Sequence, residues 1–190
     1  MIRHTYEDRS KANILSLYKS LVRPHLEDCV QVWRPYLQQD IDNIESVQRR
    51  ATKMIDGLQS KSYEERLKAT GLISLEMRRL RADLIEVFKI VHGLEDLDPC
   101  YFFKFAADTV TNTRGHPYKI IKPGLTKSLM CRQYFFSQRV INEWNSLPHD
   151  AVTAKTVNSF KNHIKQLFVQ NRGITRSQRW FISPVLTSTS

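Results

Sequence analysis

Apolar residues recur at steps of three and four along most of the chain, which is the pattern of amphipathic α-helices. The first such run covers residues 10–22, and Ser10 is placed to cap it. Its apolar positions are Ile14, Leu17, Leu21 and Val22. Pro24 lacks an amide hydrogen, so we expect a kink or a short break there. Beyond it, helical spacing is continued by Leu26, Cys29, Val30 and Trp33.

The stretch "SVQRRATKMI", residues 46–55, lies in a second predicted helix that runs from about Gln39 to Met54 or Ile55. One side of this helix is apolar, with Ile44, Val47, Ala51, Met54, Ile55 and Leu58. The other side is polar, with Asp42, Glu45, Ser46, Arg49, Arg50 and Lys53. Glu45 precedes Arg49 by one turn, the favourable order for an ion pair. This face is either an ordinary solvated surface or a row of cations that follows a nucleic-acid backbone.

Two further helices follow in the first half of the chain. Ser62 and Glu65 are placed to form a capping box at the start of one helix. Gly71 provides a left-handed stop at the end of the same helix. Residues 74–94 form the longest apolar stripe, so we expect a central helix packed on two sides. The stripe contains Met77, Leu80, Leu84, Ile85, Val87, Phe88, Ile90, Val91 and Leu94. Its narrow polar strip contains Arg78, Arg79, Glu86 and Lys89.

Helical periodicity fades between residues 96 and 130, where "YKII" and nearby Gly and Pro indicate loops with one or two strands. A helix returns over "YFFSQRVINEWNSLP", which Pro148 ends, and a last one covers "TVNSFKNHIKQLF". Four aromatic residues in helical stripes are expected in the core: Trp33, Trp144, Phe135 and Phe136.

The pattern therefore predicts a mainly α fold, a helical bundle with a short β-hairpin or loop insertion around residues 110–133. Residues 1–95 are expected to form a helical bundle, residues 96–133 a loop or β connection, and residues 134–170 a C-terminal helical pair. Residues 171–190 are basic and then rich in Ser and Thr, and we expect a disordered tail.

Composition narrows the class of protein. A chain of 190 residues with 41% hydrophobic residues can bury a core of its own. It has no run of 18 apolar residues, and its N-terminus is charged, so we expect an intracellular protein of the nucleus or cytoplasm without a membrane partner. Its three cysteines are widely spaced and form no Cys-x-x-Cys, so neither a disulfide framework nor a zinc site is indicated.

Positive charge is concentrated in the second half of the chain. Residues 1–95 contain 16 Lys or Arg and 14 Asp or Glu, whereas residues 96–190 contain 13 and 5. No acidic residue lies between Asp108 and Glu143. The cations in that interval are interleaved with aromatic residues in the set Arg114, His116, Tyr118, Lys119, Lys122, Lys127, Arg132 and Tyr134. Such a set suits phosphates and stacked bases; the alternatives are basic disorder, a solubilising surface, or a hairpin whose tyrosines pack inward.

Catalytic patterns are missing from the 190 residues. Two-metal polymerases and nucleases need converging carboxylates, and the sequence contains no Asp-Asp pair. The nearest acidic cluster, Glu95, Asp96 and Asp98, has the composition of an ordinary turn. The histidines show no metal-binding spacing, and the glycines form no phosphate loop. We therefore expect no catalytic residue, no metal, no cofactor and no small-molecule substrate.

Several long stretches in order resemble the C-terminal region of reverse transcriptases from non-LTR retrotransposons, of the jockey-like and related LINE classes. These stretches are "LYKSLVRPHLEDCVQVWRPYLQQDIDNIESVQRRATKMI", "SYEERLKATGLISLEMRRLRADLIEVFKIVHGL", "TRGHPYKI" and "FFSQRVINEWNSLP". The resemblance runs from about Lys11 to Phe168. It implies that residues 1–95 correspond to the helical thumb, which follows the palm and helps to grip template and primer.

The same resemblance implies a truncated copy, because the fingers, the palm with its Phe/Tyr-x-Asp-Asp motif, and the endonuclease have no counterpart here. We therefore expect a fragment of an RNA-directed DNA polymerase that is not an enzyme by itself. It would bind RNA or DNA, duplex or single-stranded, through the backbone, and a full-length polymerase in trans is a candidate partner. The expected contacts are Arg49, Arg50, Lys53, Arg78, Arg79, Arg114, Lys119, Lys122, Lys127 and Arg132. The alternative is a protein-interaction or inert helical module with a solvated basic surface.

Overall fold

The structure is a computed structural model that describes residues 8–108, 116–124 and 132–170. It is mainly α-helical, as predicted. Its contacts divide the chain into two compact units: Met1–Asp83 with Tyr134–Phe136, and Leu84–Gln133 with Ser137–Ser190. We call them the first and second units. The predicted divisions after residues 95 and 133 remain predictions.

The first helix, α1 (Lys11–Leu17), begins where predicted, and Ser10 Oγ accepts a hydrogen bond from the Asn13 amide at 3.4 Å. A π-helical turn follows at Tyr18–Val22 and leads into α2 (Arg23–Glu27). Pro24 has no amide hydrogen to donate to the turn before it, which accounts for the widened turn at the predicted interruption.

The predicted continuation of this helix through Trp33 is wrong. The backbone of Asp28 is extended, and Cys29 has a positive φ of 46°, a conformation that ends a right-handed helix. The carbonyl of Cys29 then accepts hydrogen bonds from the amides of Val32 and Trp33, which closes a turn. Residues 28–37 consequently form an irregular connection between two helices.

Three helices that the sequence predicted follow in order: α3 (Gln38–Lys53), α4 (Tyr63–Thr70) and α5 (Leu75–Val91). The capping box of Ser62 and Glu65 is present in full, and Gly71 ends α4 with a φ of 69°. The core of the first unit is formed by residues of α1, the π-helical turn, α3 and the loops beside α4: Ile14, Leu15, Tyr18, Ala51, Ile55, Leu58 and Leu72.

The prediction that Glu45 lies on the solvated face of α3 is wrong. Glu45 is only 6% exposed, and Gln48 and Thr52 are buried on the same side of the helix. Because a buried polar group must find a partner, this stripe requires hydrogen bonds from other helices.

Those hydrogen bonds connect four segments of the first unit. Tyr18 Oη donates to Gln48 Oε1 at 2.8 Å, and Gln48 Nε2 donates to Tyr63 Oη at 2.9 Å. Tyr63 Oη donates in turn to Glu45 Oε1, while the Leu75 amide donates to Glu45 Oε2 at 2.9 Å. Burial raises the pKa of Glu45, and its hydrogen bonds from Tyr63 and the Leu75 amide oppose that shift.

Besides the part of α5 from Leu84 onward, the second unit contains several short helices and one long one. In order they are α6 (Pro99–Phe102), a 3₁₀ turn (Ala106–Asp108), α7 (Phe136–Arg139), α8 (Ile141–Asn145), α9 (His149–Val152) and α10 (Val157–Gln170). The first residue of α7, Phe136, is assigned to the first unit. The last predicted helix is confirmed, whereas the one predicted before it is broken at Val140 into α7 and α8. Trp144 is fully buried, as predicted, and Phe88 stacks on Phe160 with ring centroids 4.3 Å apart.

No strand is present among residues 116–124, the described part of the predicted hairpin. One isolated antiparallel bridge pairs Ile120 with Phe105, which precedes the predicted insertion. The Asn145 side chain continues this pairing, since its amide accepts from the Ile120 amide at 2.9 Å and donates to the Ile120 carbonyl at 2.7 Å. Residues 109–115 and 125–131, and the predicted disordered tail at 171–190, lie outside the described residues.

Two of the aromatic residues expected in the core are exposed. Trp33 is 41% exposed and Phe135 is 60% exposed. The expectation failed because both residues lie outside the helices whose periodicity suggested burial: Trp33 follows the end of α2, and Phe135 precedes α7.

Replacing Gln48 by Leu should lower the free energy of unfolding by about 2 to 4 kcal/mol, because it removes the acceptor of the Tyr18 hydroxyl and the donor to the Tyr63 hydroxyl and the Ile73 carbonyl. Urea unfolding followed by circular dichroism measures this. Gln39→Leu, at an exposed position of the same helix, should change stability by less than about 0.5 kcal/mol. Equal effects of the two substitutions would contradict a structural role for the network.

Acidification should destabilise the protein through His116. Its Nε2 donates to the Trp144 carbonyl at 3.2 Å, while Nδ1 is buried without a hydrogen-bond partner among the described residues. Burial lowers the pKa of His116 below the usual value for histidine of about 6.5, so the unfolded chain takes up the proton first. The stability that His116 contributes is complete above about pH 6.5 and is lost as the pH falls through its lowered pKa. Thermal unfolding across this range should show a steeper pH dependence for the native chain than for His116→Gln.

Candidate nucleic-acid interface

The last two turns of α3 carry a row of three exposed cations, Arg49, Arg50 and Lys53. The opposite side of α3 carries its apolar and buried polar residues and faces the core, so these three side chains face solvent. Steps of three and four residues place them on neighbouring positions of one helix face. We call this set the α3 basic row.

Arg49 is held in place by two neighbours. Its Nη2 lies 4.0 Å from Asp42 Oδ1, and its guanidinium lies over the Tyr63 ring, 5.1 Å from the centroid. Arg66 approaches the same ring at 5.6 Å, so Tyr63 lies between two cations. The predicted partner Glu45 is directed into the core, and the ion pair of Arg49 therefore forms with Asp42.

Arg50 and Lys53 make no ion pair with any residue that the structure describes. Both positions are exposed, so an approaching polyanion would not have to displace an internal partner. A purely structural explanation also exists: cations in the last turn of a helix interact favourably with the negative end of its dipole.

Arg78 is engaged inside the first unit. Its Nε and Nη2 donate to the two oxygens of Glu27, the second at 2.8 Å, in a bidentate pair. The pair joins α5 to the end of α2 and raises the pKa of the Arg78 guanidinium, mainly through these hydrogen bonds. Arg78 would have to give up this partner to bind a phosphate.

Arg79 is only 2% exposed, so the structure places it away from any surface. Its Nη2 donates to the Leu26 carbonyl, and its guanidinium lies 4.3 Å from the centroid of the Trp33 ring. The first contact holds α2 against α5, and the second holds the connection after α2. The sequence placed Arg78 and Arg79 on a polar strip, but it gave no indication of the partners that occupy them.

The basic residues expected from the second half have different exposures. Lys122 and Arg132 are exposed, and Lys119 is half-buried next to the bridge at Ile120. Arg114 and Lys127 lie outside the described residues. Tyr118 lies beside His92, with ring centroids 4.9 Å apart, and its carbonyl accepts from Trp144 Nε1, which agrees with the packed alternative for this tyrosine.

Carboxylates of the second unit are used locally. Glu95 pairs with Lys89 at 2.7 Å, and Asp98 caps α6 through the Cys100 amide. Within the described parts of the chain, no three His, Cys, Asp or Glu side chains are grouped to hold a metal ion. No helix in those parts is long and apolar enough to cross a membrane.

The sequence gave no signal for the role of Tyr63 as the neighbour of Arg49. The capping box places Tyr63 in the first turn of α4, but only the packing of α4 on α3 brings its ring under the guanidinium. No protein-family model, curated protein or solved structure matches the chain.

Replacing Arg79 by Ala should lower the free energy of unfolding by about 2 to 4 kcal/mol, since it removes a charged hydrogen bond and a cation–π contact from a buried position. Arg50→Ala should cost less than about 0.5 kcal/mol because Arg50 is exposed. Chemical denaturation of both variants separates the internal arginine from the surface one. An Arg79→Ala variant as stable as the native chain would refute the internal role.

Proposed function

We propose that the chain is a C-terminal fragment of a non-LTR retrotransposon reverse transcriptase that binds the backbone of a template–primer nucleic acid. In this proposal residues 1–95 correspond to the thumb-like bundle and residues 134–170 to a C-terminal extension. The ordered resemblance of long stretches supports the lineage, and the helical fold is compatible with it.

The observation that carries the binding proposal is the α3 basic row. Helical rise separates Arg49 from Lys53 by about 6 Å along the axis, on the order of two nucleotide steps of one strand. Arg50 and Lys53 have no ion-pair partner among the described residues, and Tyr63 restrains Arg49. Cations presented in this way attract phosphates without reading bases, so binding should show little sequence preference.

The proposed activity is binding and not chemistry. Phosphoryl transfer by a polymerase requires carboxylates that hold two metal ions, and the sequence has no Asp-Asp pair to provide them. A full-length polymerase acting in trans would supply the catalytic centre. Lys122 and Arg132 are exposed in the second unit and are candidates for additional backbone contacts.

The second candidate function is a protein-interaction or inert helical module, in which the α3 basic row serves only to offset the helix dipole. The position of Arg50 and Lys53 in the last turn of α3 is the observation that favours it. This reading predicts no affinity for nucleic acid at low salt.

Charge reversal of the α3 basic row should abolish most nucleic-acid binding. We would measure the fluorescence anisotropy of a labelled RNA–DNA primer–template duplex with the native chain and with Arg49→Glu/Arg50→Glu/Lys53→Glu across a salt series. Each lost phosphate contact flattens the slope of log affinity against log salt by about 0.9, so three contacts flatten it by about 2.7.

The matched control is Lys11→Glu/Lys19→Glu/Lys68→Glu, which changes net charge equally at three exposed positions of the first unit. If the two triple variants lose the same affinity, net charge and not the α3 basic row accounts for binding. A folded native chain that fails to bind at low salt would refute the proposed function. Incorporation of nucleotides by the purified chain would refute its non-catalytic part.

A further inference from the structure

The connection between α2 and α3 exposes four large apolar side chains within six residues. Val32 is 85% exposed, Trp33 41%, Tyr36 52% and Leu37 53%. We call these four residues the 32–37 patch. Single exposed apolar residues are ordinary, but four within six residues, with Trp and Tyr among them, favour a binding surface.

Internal contacts hold this irregular segment in one conformation. The Trp33 ring is backed by the buried guanidinium of Arg79, and Arg34 Nη1 donates to the fully buried Asp83 at 2.9 Å. The Tyr36 ring stacks on that of Tyr134, with centroids 4.1 Å apart and an interplanar angle of 20°. A partner would therefore meet side chains that are already positioned, which lowers the entropic cost of binding.

The charged residues without an ion pair that flank the 32–37 patch in the sequence are acidic, whereas Arg34 within it is paired with Asp83. Asp28 and Asp40 lie within four residues of it at either end, both are exposed, and neither makes an ion pair with a described residue. Asp40 also suits the first turn of α3, whereas Asp28 has no such helical role. Carboxylates at the rim repel phosphates, so this patch suits nucleic acid poorly although the chain carries a net charge of +10.

Two pairings with a second copy of the chain also fit poorly. In the described part of the second unit, the exposed large apolar residues are Leu94, Leu97 and Tyr101, and exposed Asp96 and Asp98 lie among them. Both this group and the 32–37 patch have acidic neighbours. Pairing the 32–37 patch with itself, or with this group on a second copy, would bring carboxylates together, which opposes association.

We propose that the 32–37 patch docks a different protein, through an apolar segment of that protein flanked by Lys or Arg. The apolar side chains would fill the centre of the contact, and Asp28 and Asp40 would pair with the flanking cations at its rim. This site is separate from the α3 basic row, and it does not depend on nucleic-acid binding.

The test uses two synthetic amphipathic helical peptides of about 15 residues, both with Leu along one face and with either Lys or Glu at the remaining positions. Fluorescence anisotropy of the labelled peptides with the full chain measures affinity. Because the chain is strongly cationic, non-specific attraction favours the Glu peptide. We expect the Lys peptide to bind about tenfold tighter or more; equal affinity, or preference for the Glu peptide, would overturn the proposal.

Two neutral double variants locate the contact. Val32→Asn/Leu37→Asn removes apolar surface, and Asn at residue 37 suits the N-cap position of α3, so the fold should persist. This variant should bind the Lys peptide about tenfold more weakly. Leu97→Asn/Tyr101→Asn makes the same type of change in the second unit and should leave affinity within about twofold. Equal losses in both variants would overturn the location.

Reversal of the rim tests its charge directly. Asp28→Lys/Asp40→Lys should exchange the preference so that the Glu peptide binds more tightly, and this measurement stands if the Asn variant fails to fold. Two outcomes would reassign the patch. Loss of binding to a single-stranded oligo(dT) in Val32→Asn/Leu37→Asn would indicate base stacking, and a dimer in sedimentation that the same variant abolishes would indicate self-association.

Discussion

Burial of the Glu45 carboxylate constrains the arrangement of the whole first unit. A carboxylate with 6% exposure needs donors from the protein itself, and it obtains them from Tyr63 on α4 and from the first amide of α5. Its position beside the Leu75 amide also places negative charge at the positive end of the α5 dipole. Gln48 extends the network to Tyr18, so four segments must be in register for every polar group to be satisfied.

Arginines on neighbouring helices serve opposite purposes in this unit. Arg78 binds the Glu27 carboxylate and Arg79 binds the Leu26 carbonyl, and both contacts attach α2 to α5. Arg49 and Arg50 face solvent on α3. Both pairs consist of adjacent arginines on a helix, so the sequence does not distinguish them. They differ in their surroundings: α2 packs over the first turns of α5, whereas none of the described residues forms an ion pair with Arg50 on α3.

Two exposed surfaces among the described residues of the first unit, the α3 basic row and the 32–37 patch, have opposite charge beside them and lie at opposite ends of α3. The α3 basic row occupies the last two turns, whereas Asp40 and the 32–37 patch lie at the first turn. In the two proposals above, the basic end of α3 binds a nucleic acid and the acidic end docks a protein. The patch keeps its form because Arg79, a residue expected to bind nucleic acid, supports the Trp33 ring instead.

Local sequence signals were sufficient for the long helices. The caps at Ser10 and Ser62, the stop at Gly71 and the periodicity of α3, α5 and α10 depend on residues within a few positions of one another. The burial of Glu45, the exposure of Trp33 and the engagement of Arg79 depend on residues that lie far away in the chain. Sequence periodicity records which side of a helix is apolar, but only the packing of distant segments decides whether a polar or aromatic side chain meets a partner or solvent.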